Sequence, residues 1–241
     1  MVTAIIMAGG KGTRSQQSVP KQFLTVNDTP VIVYTLRNLQ RIKEISKIIV
    51  ISPVGWEDFI VTYAQQFHIT KLKGVVTGGE SRNESIRNGL YYLKDDDTTK
   101  KVCLIDANRP LIPEAVIQEV ISLADQCDCA LTLEPCYDSM FISGDGKTVK
   151  SGTDRKVLFK GTTPECAYLE SLLELYAEDA AVINTDLSTS ELALFRGKRV
   201  LAAKGHIKCF KITTADDFEL FKAFLRTETN PLAWNQDANN Y

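Results

Sequence analysis

The chain has 241 residues, 44% of them apolar and 24% charged, which suits one sizeable domain with an ordinary buried core. Its formal net charge of −2 argues against non-specific nucleic-acid binding, so any anionic ligand must be met by a local group of cations. Six cysteines with no CxxC pair, beside only two histidines, argue against a zinc site and read as small buried thiols in a reducing compartment. No basic leader precedes the first apolar stretch, Gly9-Gly10 cuts that stretch short, and no apolar run approaches the roughly 20 residues of a membrane span. The expectation is a cytoplasmic protein with neither membrane nor nucleic acid as partner.

Short apolar β-rich runs recur along the first half of the chain: Ala4–Met7, Lys47–Ile51, Gly74–Val76, Val102–Ile105 and Ala130–Leu133. Between them, Val31, Tyr34, Thr35, Leu36 and Leu39 fit one helix. Ile86, Leu90 and Leu93 fit a second, and Ala115, Val116, Val120 and Leu123 a third. Strand–helix alternation with continuously apolar strands predicts an α/β fold, a mostly parallel sheet covered on both faces. Ligands of such sheets sit beyond the carboxyl ends of the strands. After Leu133 the alternation stops. Tyr137–Lys160, with Gly144, Gly146 and Gly152, reads as a hairpin or extended arm. A helix over about 166–177 is predicted next, then short strands at Val200–Ala203 and Ile207–Ile212. A last helix starts near Thr214, with Asp217 as a capping acid, and ends around Arg226. A polar tail closes the chain.

Four loops follow predicted strands. The first, Gly9-Gly10-Lys11-Gly12-Thr13-Arg14, is closed by Pro20-Lys21-Gln22. Its glycines allow backbone amides to approach an anion, and Arg14 and Lys21 add cations. It lacks the Walker Gly-Lys-Ser/Thr ending, and Ser15 stands where a dinucleotide fingerprint needs glycine. The second, Gly78–Ser85, opens a helix. Arg82 and Ser85 lie three apart on one side of its first turn, a placement suited to a phosphate or a base edge. Ser81 also fits there as an N-cap with Glu84 three residues on. The third, Asp106-Ala107-Asn108-Arg109-Pro110, offers a lone carboxylate for Mg²⁺ and a cation for a phosphate. The fourth is Thr185-Asp186, with Lys211 on a later segment.

Taken together and in order, these segments resemble the cytidylyltransferases that act on polyol phosphates: the 2-C-methyl-D-erythritol 4-phosphate enzymes and the related ribitol-5-phosphate enzymes. The resemblance covers about residues 2–226. It rests on Ala8–Arg14 with Pro20–Gln22, Gly78–Ser85, Asp106–Pro110, Asp138-Ser139, Asp154-Arg155, Thr163-Pro164, Thr185-Asp186 and Lys211-Ile212-Thr213. It implies a Rossmann-like three-layer α/β/α domain over 1–227 with a protruding β-arm at about 137–161, followed by the tail 228–241. It implies transfer of CMP from CTP to a polyol phosphate, with ribitol 5-phosphate ahead of 2-C-methyl-D-erythritol 4-phosphate or another sugar phosphate.

The roles implied are these. Arg14, Lys21 and Lys211 are catalytic, surrounding the α-phosphate. Ala8, Gly9, Gly10, Gly12, Thr13, Gly79, Arg82, Ser85 and Ala107 bind the nucleotide. Arg109, Ser139, Arg155, Thr163 and Thr185 bind the acceptor, and Asp106 holds Mg²⁺. The arm position of Arg155 crosses to the other subunit of a homodimer. The chain departs from the family pattern at Ile105 (often His), Asn108 (Ala or Val), Ser139 (Thr), Thr162–Glu165 (Gln-Thr-Pro-Gln) and Cys209 (Asn). These departures surround the acceptor pocket more than the nucleotide. A glycosyltransferase on a similar core needs Asp-x-Asp, and Asp106-Ala107-Asn108 lacks the second acid.

Overall fold

A computed structural model describes residues 1–9, 19–177 and 185–229. In chain order, the strands are β1 (Val2–Met7), β2 (Thr25–Val26), β3 (Thr29–Pro30), β4 (Ile45–Ser52), β5 (Leu72–Thr77), β6 (Lys101–Asp106), β7 (Cys129–Pro135), β8 (Met140–Ile142), β9 (Ser151–Thr153), β10 (Phe159–Tyr168) and β11 (Val200–Lys204). The helices are α1 (Val31–Arg41), α2 (Glu57–Gln66), α3 (Arg82–Leu93), α4 (Glu114–Leu123), α5 (Leu169–Leu175), α6 (Thr189–Phe195) and α7 (Ala215–Thr229).

Seven strands form one sheet in the order β11-β7-β10-β6-β1-β4-β5. Within it β10 runs antiparallel to both β6 and β7, while the other pairings are parallel. The expected mostly parallel sheet is therefore present, with one reversed strand in its interior. Strand periodicity distributes the apolar side chains to two faces. Ala4, Ile6, Ile48 and Val50 face α1 and α4, in a cluster with Leu36, Leu39, Ile117 and Val120. Ile5, Ile49 and Ile51 face α3, α5 and α6, with Ile86, Leu90, Leu172 and Leu192. A smaller cluster joins Val26, Val31, Phe210, Ile212 and Phe221 under α7.

Gly89 sets how closely α3 lies on the sheet. A Cβ there would sit 2.6 Å from Ile51 Cδ1 and 3.2 Å from Ile5 Cδ1. The missing side chain leaves room for the helix to lie close on Ile5 and Ile51, with its N-terminus by the ends of β1 and β5.

Two predicted elements differ. The expected helix over 166–177 begins only at Leu169, because Cys166–Tyr168 complete β10 and pair with Lys101–Cys103. The stretch Ile207–Ile212 is not a strand. It is a single 3-10 turn, Ile207–Cys209, followed by extended chain whose backbone bonds to the loop after β6 rather than to a sheet edge. The predicted cap of the last helix is present: Asp217 Oδ2 accepts from the Thr213 and Thr214 amides at 2.8 and 2.7 Å. β8 and β9 pair as a hairpin between β7 and β10, which is the expected β-arm. Among the described residues, no helix is long and apolar enough to cross a membrane.

Candidate active site

The carboxyl ends of β1, β5 and β6 open into a cleft with two adjoining lobes, each of about 440 Å³. Met7, Ala8 and Gly9 from β1, Gly79–Arg82 and Ser85 from the start of α3, and Asp106–Asn108 from β6 line the first lobe. Arg109, Thr162, Thr163, Glu165, Asp186 and Ser190 are among those lining the second. Arg82, Asp106 and Lys211 border both.

The first lobe is built from backbone tied by short side chains. Ala8 N–H donates to the Ile51 carbonyl at 2.9 Å, and the Ala8 carbonyl accepts from Gln22 Nε2. Gly78 N–H donates to the Ser52 carbonyl at 2.8 Å. Ser81 caps α3, its Oγ accepting from Glu84 N–H at 3.0 Å. The Glu84 carboxylate reaches one residue further back than a capping box requires, to the Glu80 amide at 2.7 Å. Ser85 Oγ accepts from Gly79 N–H at 3.0 Å and donates to the Ser81 carbonyl at 2.8 Å. The Ser85 hydroxyl thus holds the turn in shape besides facing the lobe.

Charge concentrates where the lobes meet. Asp106 Oδ2 lies 2.9 Å from Arg109 Nε and 3.1 Å from Lys211 Nζ. Burial works to raise the Asp106 carboxyl, but Lys211 and Arg109 outweigh it and hold it below the usual carboxylate range. Arg109, buried, also donates from Nη1 to the Cys209 carbonyl. Arg82 Nη2 lies 3.4 Å from Glu165 Oε2. Burial disfavours the Arg82 charge, yet Glu165 and Asp106 more than restore it. Glu165 Oε1 accepts from the Ser190 amide at 2.9 Å and from the Ser190 hydroxyl. Sequence reasoning marked Glu165 only as a departure, but its buried carboxylate joins α3, β10 and α6 across the cleft. Two buried polar atoms on lining residues, Arg82 Nη1 and Thr162 Oγ1, have no hydrogen-bond partner among the described residues. Groups left so in a cleft are donors available to a ligand.

Of the remaining expected site residues, Lys21 lies in a 3-10 turn and its ammonium donates to the Thr213 carbonyl, two residues from Lys211. Thr163 Oγ1 accepts from the Asp106 amide at 3.2 Å, and Ala107 borders the first lobe. Thr185 does not line the cleft. The buried Asn83 side chain holds it, donating to its carbonyl at 2.9 Å, and places Asp186 at the second lobe. Ser139 and Arg155 lie on the arm and line neither lobe, and Arg155 Nη1 donates to the Tyr137 carbonyl at 2.9 Å. Gly10, Gly12, Thr13 and Arg14 lie outside the described residues.

Among the described residues, no group of three or more His, Cys, Asp or Glu side chains is placed to cage a metal. A lone carboxylate at a strand end fits a hard cation that completes its shell with phosphate oxygens and water, as Mg²⁺ does, and does not fit zinc.

A family model for 2-C-methyl-D-erythritol 4-phosphate cytidylyltransferase (IspD) matches residues 2–227. A ribitol-5-phosphate cytidylyltransferase from Lacticaseibacillus paracasei is 35% identical over 236 residues, spanning 94% of this chain and 98% of that protein. A 2-C-methyl-D-erythritol 4-phosphate cytidylyltransferase from Syntrophus aciditrophicus is 33% identical over 231 residues, spanning 94% and 97%. The crystal structure of 4-diphosphocytidyl-2C-methyl-D-erythritol synthase from Anaerococcus prevotii matches with a TM-score of 0.77 at 24% identity, over 93% of this chain and 96% of that one.

Proposed function

The chain belongs to the 2-C-methyl-D-erythritol 4-phosphate cytidylyltransferase (IspD) family, and from that premise we propose that its acceptor is ribitol 5-phosphate. It is a CTP-dependent cytidylyltransferase that transfers CMP to a polyol phosphate. Relatives named for ribitol 5-phosphate, at 35% and 34% identity, support that acceptor over methylerythritol phosphate. An acceptor phosphate oxygen attacks the α-phosphorus of CTP, the bond to the β-phosphate breaks, and CDP-ribitol and pyrophosphate result. No enzyme nucleophile is needed, so the protein's task is to align two anions and neutralise them.

The observation that carries this reading is the shared border of the two lobes. Arg82 and Lys211 stand between the nucleotide lobe and the acceptor lobe, where two phosphates must meet. Lys21, whose ammonium reaches the Thr213 carbonyl beside Lys211, would add its charge to the triphosphate, and the family resemblance gives Arg14 the same role. Arg109, Thr163 and Thr162 face the acceptor. Asp106 would hold Mg²⁺ together with the nucleotide's phosphates, and the ion would neutralise charge on the leaving pyrophosphate.

The reading includes a homodimer. The arm exposes Tyr137, Phe141, Val149, Val157 and Phe159, each more than half exposed. A surface so apolar suits burial against a second subunit, where Ser139 and Arg155 would reach the other cleft.

Incubation with CTP, Mg²⁺ and a panel of polyol phosphates tests the proposal. Acceptor-dependent pyrophosphate release with ribitol 5-phosphate supports it. Preference for 2-C-methyl-D-erythritol 4-phosphate overturns the acceptor, and no release across the panel overturns the activity.

A further inference from the structure

Asn108 stands where the family resemblance leads to Ala or Val, and its side chain makes a contact that no alkyl group can make. Asn108 Nδ2 donates to the Ile212 carbonyl at 2.7 Å, while Ile212 N–H donates to the Asn108 carbonyl at 2.9 Å. These two bonds bracket the loop after β6 to the segment that carries Lys211. Ile212 is 1% exposed and packed with Phe210 and Phe221, so the bracket is anchored in a core and not on a free loop. Lys211 is the preceding residue, and its ammonium faces Asp106, two residues before Asn108, at 3.1 Å. The following residue is held as well: the Thr213 amide by Asp217, and its carbonyl by Lys21.

We infer that Asn108 is a positioning residue, whose amide keeps Lys211 in register with Asp106 so that the ammonium is set at the junction of the lobes before substrates arrive. The inference rests on the cytidylyl-transfer reading of the cleft. A lysine has a long flexible stem, and a cation aimed in advance is worth more to a charged transition state than one that must be gathered. Without the amide, the Ile212 carbonyl loses its partner, and the segment is left tied to the β6 loop by the Ile212 N–H bond to Asn108 and, two residues before Lys211, by the Arg109 bond to the Cys209 carbonyl. The nucleotide lobe keeps its glycine turns and the Arg82 and Ser85 contacts, so CTP affinity is spared.

The test uses Asn108→Ala and the same-shaped Asn108→Asp, which lacks the donor. Both should lower kcat about tenfold, roughly the worth of one lost hydrogen bond, with the KM for CTP changed less than about twofold. A second readout does not depend on turnover. After ¹³C-methylation of the lysines, the Lys211 signal, assigned with Lys211→Arg, should move toward the position of free lysines in both variants. Wild-type kcat with an unmoved Lys211 signal overturns the inference. A raised KM for CTP at unchanged kcat makes Asn108 a nucleotide contact, and also overturns it. If the unaltered enzyme turns over no acceptor, the functional reading fails, and the Lys211 signal still decides whether Asn108 positions that ammonium.

Discussion

Lys211 Nζ and Arg109 Nε close on one oxygen of Asp106, at 3.1 and 2.9 Å. The acid expected to hold a metal and the base expected to hold a phosphate are therefore partners of each other. The pairing keeps the Asp106 carboxyl below its ordinary value of 3.8 despite burial. The sign of the pH effect follows. The unfolded chain takes up the proton first as pH falls, so the pair's contribution is whole above about pH 4 and lost as pH drops through the folded value. Asp106→Asn should therefore flatten the acid limb of a melting-temperature profile without adding slope between pH 5 and 8. An unchanged acid limb would show that Asp106 is not the group responsible.

The Lys21 ammonium reaches the Thr213 carbonyl, two residues along from Lys211, whose own ammonium faces Asp106. Lys21→Ala or Lys211→Ala should cost about 3 kcal/mol in the barrier, a loss of roughly a hundredfold or more in kcat, while far-ultraviolet dichroism stays unchanged. Near-normal rates of pyrophosphate release would remove that residue from the chemistry.

Arg155 sits on the arm and lines neither lobe of its own chain. Arg155→Ala should raise the KM for the acceptor more than for CTP. On the proposal that the arm serves the other subunit of a dimer, heterodimers of Lys21→Ala with Arg155→Ala subunits should regain part of the activity, since one of their two clefts would then be complete. Verified heterodimers without recovery would mean that the arm serves only its own chain.

Gly89 offers a test of packing. Alanine is favoured over glycine within a helix by about 1 kcal/mol. Here the added methyl would meet Ile51 Cδ1 at 2.6 Å, and overpacking of this kind costs about 1–3 kcal/mol. Gly89→Ala should therefore lower the melting temperature, and any gain in stability would show that α3 has room to shift.

The parallel part of the fold was legible because Ala4–Ile6, Ile48–Ile51 and Val102–Ile105 are buried on both faces and so read as unbroken apolar runs. β10 was not. Phe159–Tyr168 mixes Gly161, two threonines and Pro164 with no alternation, and its pairing with β7 shifts register between Thr162 and Cys166. Such a strand is specified by its neighbours, and the leucines beyond it drew the predicted helix three residues too early. Ile207, Cys209 and Ile212 mimicked a strand because they are apolar at near-alternate positions, yet the segment packs under α7 and bonds to Asn108. Within the site, the motif residues were legible as types. The Glu165–Ser190 and Asn83–Thr185 contacts were not, since each joins residues 25 and 102 positions apart whose meeting only the fold decides.

The hairpin of β8 and β9 grows out of two adjacent interior strands, not from a rim of the sheet. From Phe159 to Thr162 its return limb is hydrogen-bonded to β7, and the next residue in line is Thr163, at the Asp106 amide. One continuous strand thus runs from the arm to the wall of the second lobe, so a partner that held the arm would also fix the backbone on which Thr162 and Thr163 are mounted.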